Sequence, residues 1–358
     1  SGMSNDLFTA AYRWMGHLRG GLASATIAAC AGFAALSGSS LASAITMGRV
    51  ALPEMKRYKY SDSLSTASVA AGGTLGFLIP PSAGMVIYAV LTEQSVGRLF
   101  MAGVIPGILL ALLYVSYNLI RAIMKPELAP EPDKVGLVTK LTKTEIYSGF
   151  SIIGLIFLVL GGIWGGIFTA TEAAGMGAIA SFIIALCKGM KFKGVVESVI
   201  DAGKTSAPIM ILLITAGMYS RFLSLSDINS IILEAITSVG LNQFAILIMM
   251  VVIWLVLGML LDSISIILLT VPLFIHLVPE MNPYAFAIFG ILAIEAGLLT
   301  PPFGLIVYTV KGVLTGSNDN VPLGTIFMGS IPYWIMMLFV MIMVYLIPEL
   351  ASWPTKFV

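Results

Sequence analysis

Charge is scarce in this chain: 10% of its 358 residues are Asp, Glu, Lys or Arg, against about 25% in an ordinary soluble domain. Neither sign prevails. The 19 Lys and Arg and the 18 Asp and Glu leave a net charge of +1, so no basic field exists to hold nucleic acid. Cysteine is limited to Cys30 and Cys187, both inside apolar runs, which excludes a disulfide framework and a thiolate metal cluster. His17 and His276 are too few and too isolated for a zinc or haem site. No Gly-x-x-x-x-Gly-Lys string is present, so the chain carries no ATP site of that kind. What it has instead is apolar bulk: 58% hydrophobic residues and a mean hydropathy of +0.99. Too few polar groups remain to cover a water-soluble surface. Alternating barrel strands of about 10 residues are absent, so the chain reads as an all-α, polytopic membrane protein.

A membrane-crossing helix needs about 20 mostly apolar residues. Runs that qualify are 99–124, 146–167, 172–187 (short), 204–223 and 324–348. Four further stretches are apolar but interrupted by Gly, Ser, Thr or Pro: 21–50, 66–92, 243–278 and 284–312. Non-helical backbone at membrane depth survives only inside protein or beside a water-filled cavity. The interrupted stretches are therefore the functional candidates and the clean ones are scaffold. Basic loops mark the cytoplasmic side. Arg49, Lys56, Arg57 and Lys59 follow the first interrupted stretch, Lys125, Lys134, Lys140 and Lys143 fill the segment 125–145, and Lys188, Lys191, Lys193 and Lys204 occupy a loop near 188–204. The loops at 92–98, 224–227 and 279–283 hold only Arg98 and fit the outer side, which places the C-terminus outside.

The interrupted stretches repeat. The first half reads Leu36-Ser37-Gly38-Ser39-Ser40, then Gly73-Thr74-Leu75-Gly76-Phe77-Leu78-Ile79-Pro80-Pro81-Ser82. The second reads Gly258-Met259-Leu260-Leu261-Asp262-Ser263-Ile264-Ser265, then Gly297-Leu298-Leu299-Thr300-Pro301-Pro302-Phe303-Gly304. Ser39 to Pro80 is 41 residues and Asp262 to Pro301 is 39. Each half thus holds a hydroxyl-rich break and a Gly-rich Pro-Pro break. By the loop charges the two hydroxyl breaks are tips of hairpins entering from opposite sides, an inverted repeat with discontinuous helices. Such repeats surround a midplane binding site in secondary transporters. The expected organisation is a first repeat over 1–124 with hairpin 21–50 and broken helix 66–92, a cytoplasmic linker 125–145, and a second repeat over 146–348. The second repeat holds scaffold helices 146–223, hairpin 243–278 and broken helix 284–312. It carries roughly 75 more residues ahead of its hairpin than the first, about three spans. Residues 5–18 would match the amphipathic stretch 228–239. The repeat therefore implies an N-terminal block missing from this chain; the alternative is a naturally short chain with Ser1-Gly2 added ahead of Met3.

Consecutive prolines delete backbone donors and glycines permit close approach, so each Pro-Pro string leaves carbonyls and amides unpaired. Freed carbonyls suit a hard cation such as Na⁺, and a half-helix N-terminus attracts an anion. The bland alternative, a kink satisfied by neighbours, weakens once the second copy is seen in register. Ser37, Ser39, Ser40 and Ser43 offer neutral oxygens at the first tip, although serines in membrane helices commonly serve packing. Asp262, the one acid between Glu234 and Glu280, is expected to have a cation-linked or gating role, with a helix cap as the alternative. Glu172, three residues after Thr169, reads as a capping device. Glu295, two residues before Gly297, divides evenly between site and packing. No catalytic arrangement is evident.

The strings Gly73 to Ser82, Gly166-Ile167-Phe168-Thr169-Ala170-Thr171-Glu172-Ala173-Ala174 and Gly297 to Pro302, with the serine cluster, resemble the large membrane subunit of tripartite ATP-independent periplasmic (TRAP) transporters. Ala170 stands where that family commonly has proline. The resemblance covers essentially the whole chain, and large subunits of the family usually start some seventy residues earlier. It implies an elevator-type carrier in the bacterial inner membrane, not an enzyme, driven by a Na⁺ gradient and needing no other cofactor. It also implies a small carboxylate substrate, a periplasmic substrate-binding protein that delivers it and a small four-helix membrane subunit. One Na⁺ site would use Ser37 to Ser40 with carbonyls around Gly73, Gly76 and Ile79; a second would use Gly258, Gly297 and Thr300. The substrate would lie between the tips, against Ser39, Ser40, Ser82, Asp262, Ser263, Ser265 and Pro302. Ser43 stands where many relatives carry aspartate. Competing readings are a Na⁺-coupled anion symporter without a binding protein, a passive anion channel and an intramembrane hydrolase. The last should show paired carboxylates or a Ser–His arrangement.

Overall fold

The computed structural model describes residues 2–130, 142–226, 242–315 and 320–358, together with Ile231 and Glu234. Among them every regular element is helical. Most of the expected linker 125–145 and nearly all of the expected amphipathic stretch 228–239 lie outside the described residues. Among the described residues seven helical segments are long and apolar enough to cross a membrane: Asp62–Thr92, Val96–Met124, Ile146–Trp164, Ala170–Cys187, Phe192–Leu223, Gln243–Leu260 and Leu323–Leu346.

All four interrupted stretches break where glycine, proline and hydroxyl residues cluster. The first hairpin has arms Gly21–Ser37 and Ser40–Arg57. Gly38 ends the first arm in the left-handed region (φ 60°), its N–H donating to the Ala34 carbonyl, the usual work of a C-terminal glycine. Ser39 then runs extended, and its hydroxyl accepts from the Ala42 N–H at 3.4 Å to start the second arm. The first broken helix is Asp62–Leu78 followed by Ala83–Thr92. The second half repeats the plan with hairpin arms Gln243–Leu260 and Ser263–Phe274, then Pro283–Gly297 and Leu305–Thr315. The Pro80–Pro81 and Pro301–Pro302 bonds are both cis.

Two half-helices form the centre. Every residue from Leu64 to Leu78 and from Ala285 to Gly297 is buried. The second hairpin closes on itself through Trp254, whose indole donates to the Thr270 hydroxyl at 2.9 Å across the two arms. By contrast, Ile179, Ile183, Met210, Ile214, Met218 and Phe222 on Ala170–Cys187 and Phe192–Leu225 are exposed. Apolar helix faces left open in this way belong against lipid or another membrane chain.

Two expectations need correction. The run 204–223 is part of a longer helix, Phe192–Leu225, so the basic loop near 188–204 shrinks to a few residues before Phe192. Its charges are spaced for a helix: Lys193 lies 3.8 Å from Glu197 one turn on, and Lys204 lies 3.2 Å from Asp201. The run 146–167 ends at Trp164 and contains a π-helical turn at Phe157–Gly161. Residues 5–18 supply a helix, Met3–Met15, tied to the second half by Asp6: Lys188 Nζ and Ser148 Oγ both donate to its carboxylate.

Candidate functional site

The decisive contact lies where the two hairpins meet. Ser40, first residue of the first hairpin's second arm, donates its hydroxyl to Glu295 Oε2 at 2.7 Å. Ser263, the equivalent residue of the second hairpin, donates to Glu295 Oε1 at 2.6 Å. Glu295 is 1% exposed, and Ser40 and Ser263 are buried too. One carboxyl group on the second broken helix therefore holds both tips. Among the described residues no basic side chain pairs with it. An unpaired carboxylate at membrane depth costs roughly 3 kcal/mol or more, and the two serine hydroxyls are what offsets it here.

The first Pro-Pro break shows how carbonyls are released. Pro81 offers no N–H to the Phe77 carbonyl, and the Ser82 hydroxyl takes that place at 2.7 Å. Pro80 likewise offers none to the carbonyl of Gly76. Gly76 touches the hairpin: a Cβ there would stand 2.8 Å from the Ser39 carbonyl oxygen and 2.5 Å from Ser43 Oγ. A Cβ on Gly73 would stand 3.1 Å from the Ser40 carbonyl oxygen. Ile79 leaves the helix in an extended conformation. Ser37, Ser40, Gly73, Gly76 and Ile79 are thus drawn from elements that press on one another, and their oxygens are neutral. Ser37 donates to the Ser39 carbonyl and shares a 2.6 Å bond with Ser43. Such oxygens fit a small hard cation.

At the second break Gly258 and Gly297 pack backbone to backbone. Thr300 donates its hydroxyl to the Ala296 carbonyl at 2.6 Å and its N–H to the Gly297 carbonyl at 3.1 Å. The Leu298 carbonyl, which Pro302 cannot serve, accepts from Ile306 N–H at 3.2 Å. More of the carbonyls are satisfied here than the sequence implied, because a tight turn ending at Gly304 (φ 54°) supplies donors.

Asp262 is a helix cap. Its carboxylate accepts from the N–H groups of Ile264 at 3.1 Å and Ser265 at 3.3 Å and from the Ser265 hydroxyl. That geometry matches the alternative weighed for it and keeps Ser265 at the same cap. Pro302 is exposed, and Ser39 half-buried. Glu172 and Thr169 form a reciprocal capping box, as their spacing implied. A cavity of about 640 Å³ joins Ser37, Gly38, Pro81 and Ser82 to Thr171 and Ser181 of the helix Ala170–Cys187. It falls within the size range of small-ligand sites. No spacing announced that Thr171 and Ser181 would face the first tip, nor that Glu295 would join both tips.

The whole plan has known counterparts. A family model described as the DctM component of tripartite ATP-independent periplasmic transporters matches residues 1–350. The chain belongs to this TRAP transporter family. It is 34% identical over 356 residues to the C4-dicarboxylate TRAP transporter large permease protein DctM of Pseudomonas aeruginosa, covering 98% of this chain and 81% of that protein. It is 30% identical to the ectoine TRAP transporter large permease protein TeaC of Halomonas elongata (97% and 80% covered) and 27% identical to the sialic acid TRAP transporter permease protein SiaT of Haemophilus influenzae (98% and 56%). A TRAP large permease is a multi-pass membrane transport protein, in agreement with the seven apolar helices.

Proposed function

We propose that this chain is the membrane carrier of a Na⁺-coupled importer of a small organic acid, working by an elevator movement in the bacterial inner membrane. The observation that supports this most is the meeting of both hairpin tips on Glu295. Two hairpins that stop inside the membrane and share one buried contact can move as a body, whereas a passive anion channel has no use for them. The exposed helices Ala170–Cys187 and Phe192–Leu225 would form the fixed support, with the 640 Å³ cavity at the boundary. The C-terminus would face the periplasm, by the distribution of Lys and Arg in the loops.

Na⁺ would bind at the Ser37–Ser40 tip with Gly73, Gly76 and Ile79, and at Gly258, Gly297 and Thr300. The substrate would lie between the tips, near Ser39, Ser40 and Ser82 on one side and Asp262, Ser263, Ser265 and Pro302 on the other. Relatives are named for C4-dicarboxylates, ectoine and sialic acid, which share a carboxylate. A helix N-terminus capped by a neutral hydroxyl, as at Ser39 and Ser82, suits such a group. A small membrane subunit and a periplasmic binding protein would complete the transporter. Uptake of a labelled organic acid into proteoliposomes, with both partners and with or without a Na⁺ gradient, tests this. Accumulation that follows the Na⁺ gradient is expected. Uptake indifferent to Na⁺ would remove the coupling, and full-rate uptake by this chain alone would remove the binding protein.

A further inference from the structure

The 640 Å³ cavity between the first tip and the helix Ala170–Cys187 exists because of what its walls lack. On that helix Thr171, Ala174, Ala178 and Ser181 line it, a spacing of three and four residues that makes one face. Ala174, Gly177 and Ala178 put nothing larger than a methyl group between the two hydroxyls, which stand about 15 Å apart along the axis. Opposite, Ala83, Val86 and Val90 form one face of Ala83–Thr92. That face runs from Ser82, beside Ser37 and Gly38 of the tip, toward Val96 and Phe100. A third wall comes from Leu155, Ile156 and Val159, the last of them inside the π-helical turn Phe157–Gly161. Such turns recur at functional sites. Gly177 lets the two helices close there, since a Cβ on it would stand 2.7 Å from Val159 Cγ2. The result is a slot with hydroxyls at its ends and hydrocarbon along its sides.

We infer that this slot holds the apolar body of a monocarboxylate, and that the face from Thr171 to Ser181 selects against any substrate with a second carboxylate. The inference rests on the carrier reading above and names its substrate class. The carboxylate stays at the tip, and the body lies along Val86 and Val90 against Ala174 and Ala178. Ligand sites of this size are mostly apolar with a few placed polar groups. Here those groups are the hydroxyls of Ser37, Ser82, Thr171 and Ser181. A hydroxyl can meet a substrate oxygen, but it carries no charge to neutralise an anion.

None of the described residues lining the slot is charged. Arg98, two residues after Val96, is exposed and gives its Nε–H to the Val358 carbonyl. Lys188 follows Ser181 by seven residues, about 10 Å along the helix, and donates to Asp6 and Ser148. Glu172, next to Thr171, is engaged in its capping box with Thr169 and would repel an anion. A second carboxylate in the slot would therefore give up water and gain no cation in return. A methylene group gains there instead, by about fourfold in affinity for each one buried.

Isothermal titration calorimetry on the purified full chain, in detergent with NaCl, tests this. The probes are butanoate, pentanoate and hexanoate, with adipate as the hexanoate chain bearing a second carboxylate. The dissociation constant should fall about three- to fourfold for each added methylene, and adipate should bind at least about tenfold more weakly than hexanoate. Ala178→Phe, which fills the slot, should weaken hexanoate more than about tenfold. Ile183→Phe, exposed elsewhere on the same helix, should leave it unchanged. Should Ala178→Phe fail to accumulate, Ala174→Leu gives the same reading, and the chain-length series needs no variant. No measurable hexanoate binding, a series without slope, adipate as tight as hexanoate, or affinity indifferent to filling the slot overturns the inference. Na⁺-driven uptake of adipate with both partners present would then leave the carrier reading standing. Hexanoate binding with the expected slope, alongside uptake indifferent to Na⁺, supports the slot and rejects the coupling.

Discussion

Gly258 and Gly297 face each other without side chains between them: a Cβ on Gly258 would lie 2.7 Å from the Gly297 Cα, and one on Gly297 would lie 2.9 Å from the Gly258 Cα. The second hairpin and the second broken helix touch at the level of their main chains. A methyl group on Gly297 would also meet the Trp254 and Leu255 carbonyl oxygens at 2.9 and 3.0 Å, and main chain cannot swing aside. Gly297→Ala should therefore destabilise the protein by about 1–3 kcal/mol. Gly312→Ala, where nothing lies within 4 Å, should cost nothing. Thermal unfolding in detergent compares them; equal melting temperatures would mean the contact is slack.

Thr300→Val keeps the shape of the side chain and removes one oxygen from the second break. With the proposed Na⁺ site there, the Na⁺ concentration for half-maximal uptake should rise several-fold, a loss of about 1–2 kcal/mol. Ser39→Ala should do the same at the first tip. Thr315→Val is the control, since that hydroxyl only returns to the Lys311 carbonyl. An unchanged Na⁺ dependence in Thr300→Val at normal protein level would reduce the break to a kink.

Asp262 caps Ser263–Phe274 through two backbone N–H groups. Asp262→Ala should cost about 1 kcal/mol of stability, and Asp262→Asn, which keeps a capping oxygen, only a few tenths. The two melting temperatures decide between cap and charge. Equal losses in both variants would show that the negative charge matters more than the cap.

Asp6 joins the N-terminal helix to Ser148 and Lys188 of the second half. Partial burial raises the pKa of its carboxyl, but the hydrogen bonds from Lys188 and Ser148 and the charge of Lys188 together hold it below the ordinary carboxylate range. A depressed folded value means that the stabilisation is complete above the unfolded value of about 4 and is lost as pH falls toward the folded one. Limited proteolysis of Met3–Met15 should therefore increase in strong acid and stay flat near neutrality. Lys188→Gln should make that helix cleavable at neutral pH as well.

Much of the fold was legible because glycine, proline and serine act locally. Pro80-Pro81 and Pro301-Pro302 remove their own N–H groups wherever the chain goes, and the helices stop there. The tips at Gly38-Ser39 and Leu261-Asp262 announced themselves for the same reason. Glu295 did not. Its meaning comes from Ser40, 255 residues away in sequence, and no spacing encodes that contact. The start of the helix at Phe192 was hidden differently: Lys193, Glu197, Asp201 and Lys204 look like a polar loop until their separations are counted. For Asp262 both roles were chemically open, and the capping bonds from the Ile264 and Ser265 amides could be seen only in three dimensions.

The two hairpins repeat in backbone and differ in the chemistry of one cap. Ser39 starts its helix with a neutral oxygen, whereas Asp262 starts the counterpart with a carboxylate. A helix N-terminus carries roughly half a positive charge. At the first tip that partial charge stands largely uncompensated, and at the second it is cancelled or reversed. The electrical potential between the tips is thus tilted along the line that joins them. An anion lying there is drawn off centre toward the first half and a cation toward the second, so a pseudo-symmetric scaffold sorts opposite charges to opposite ends.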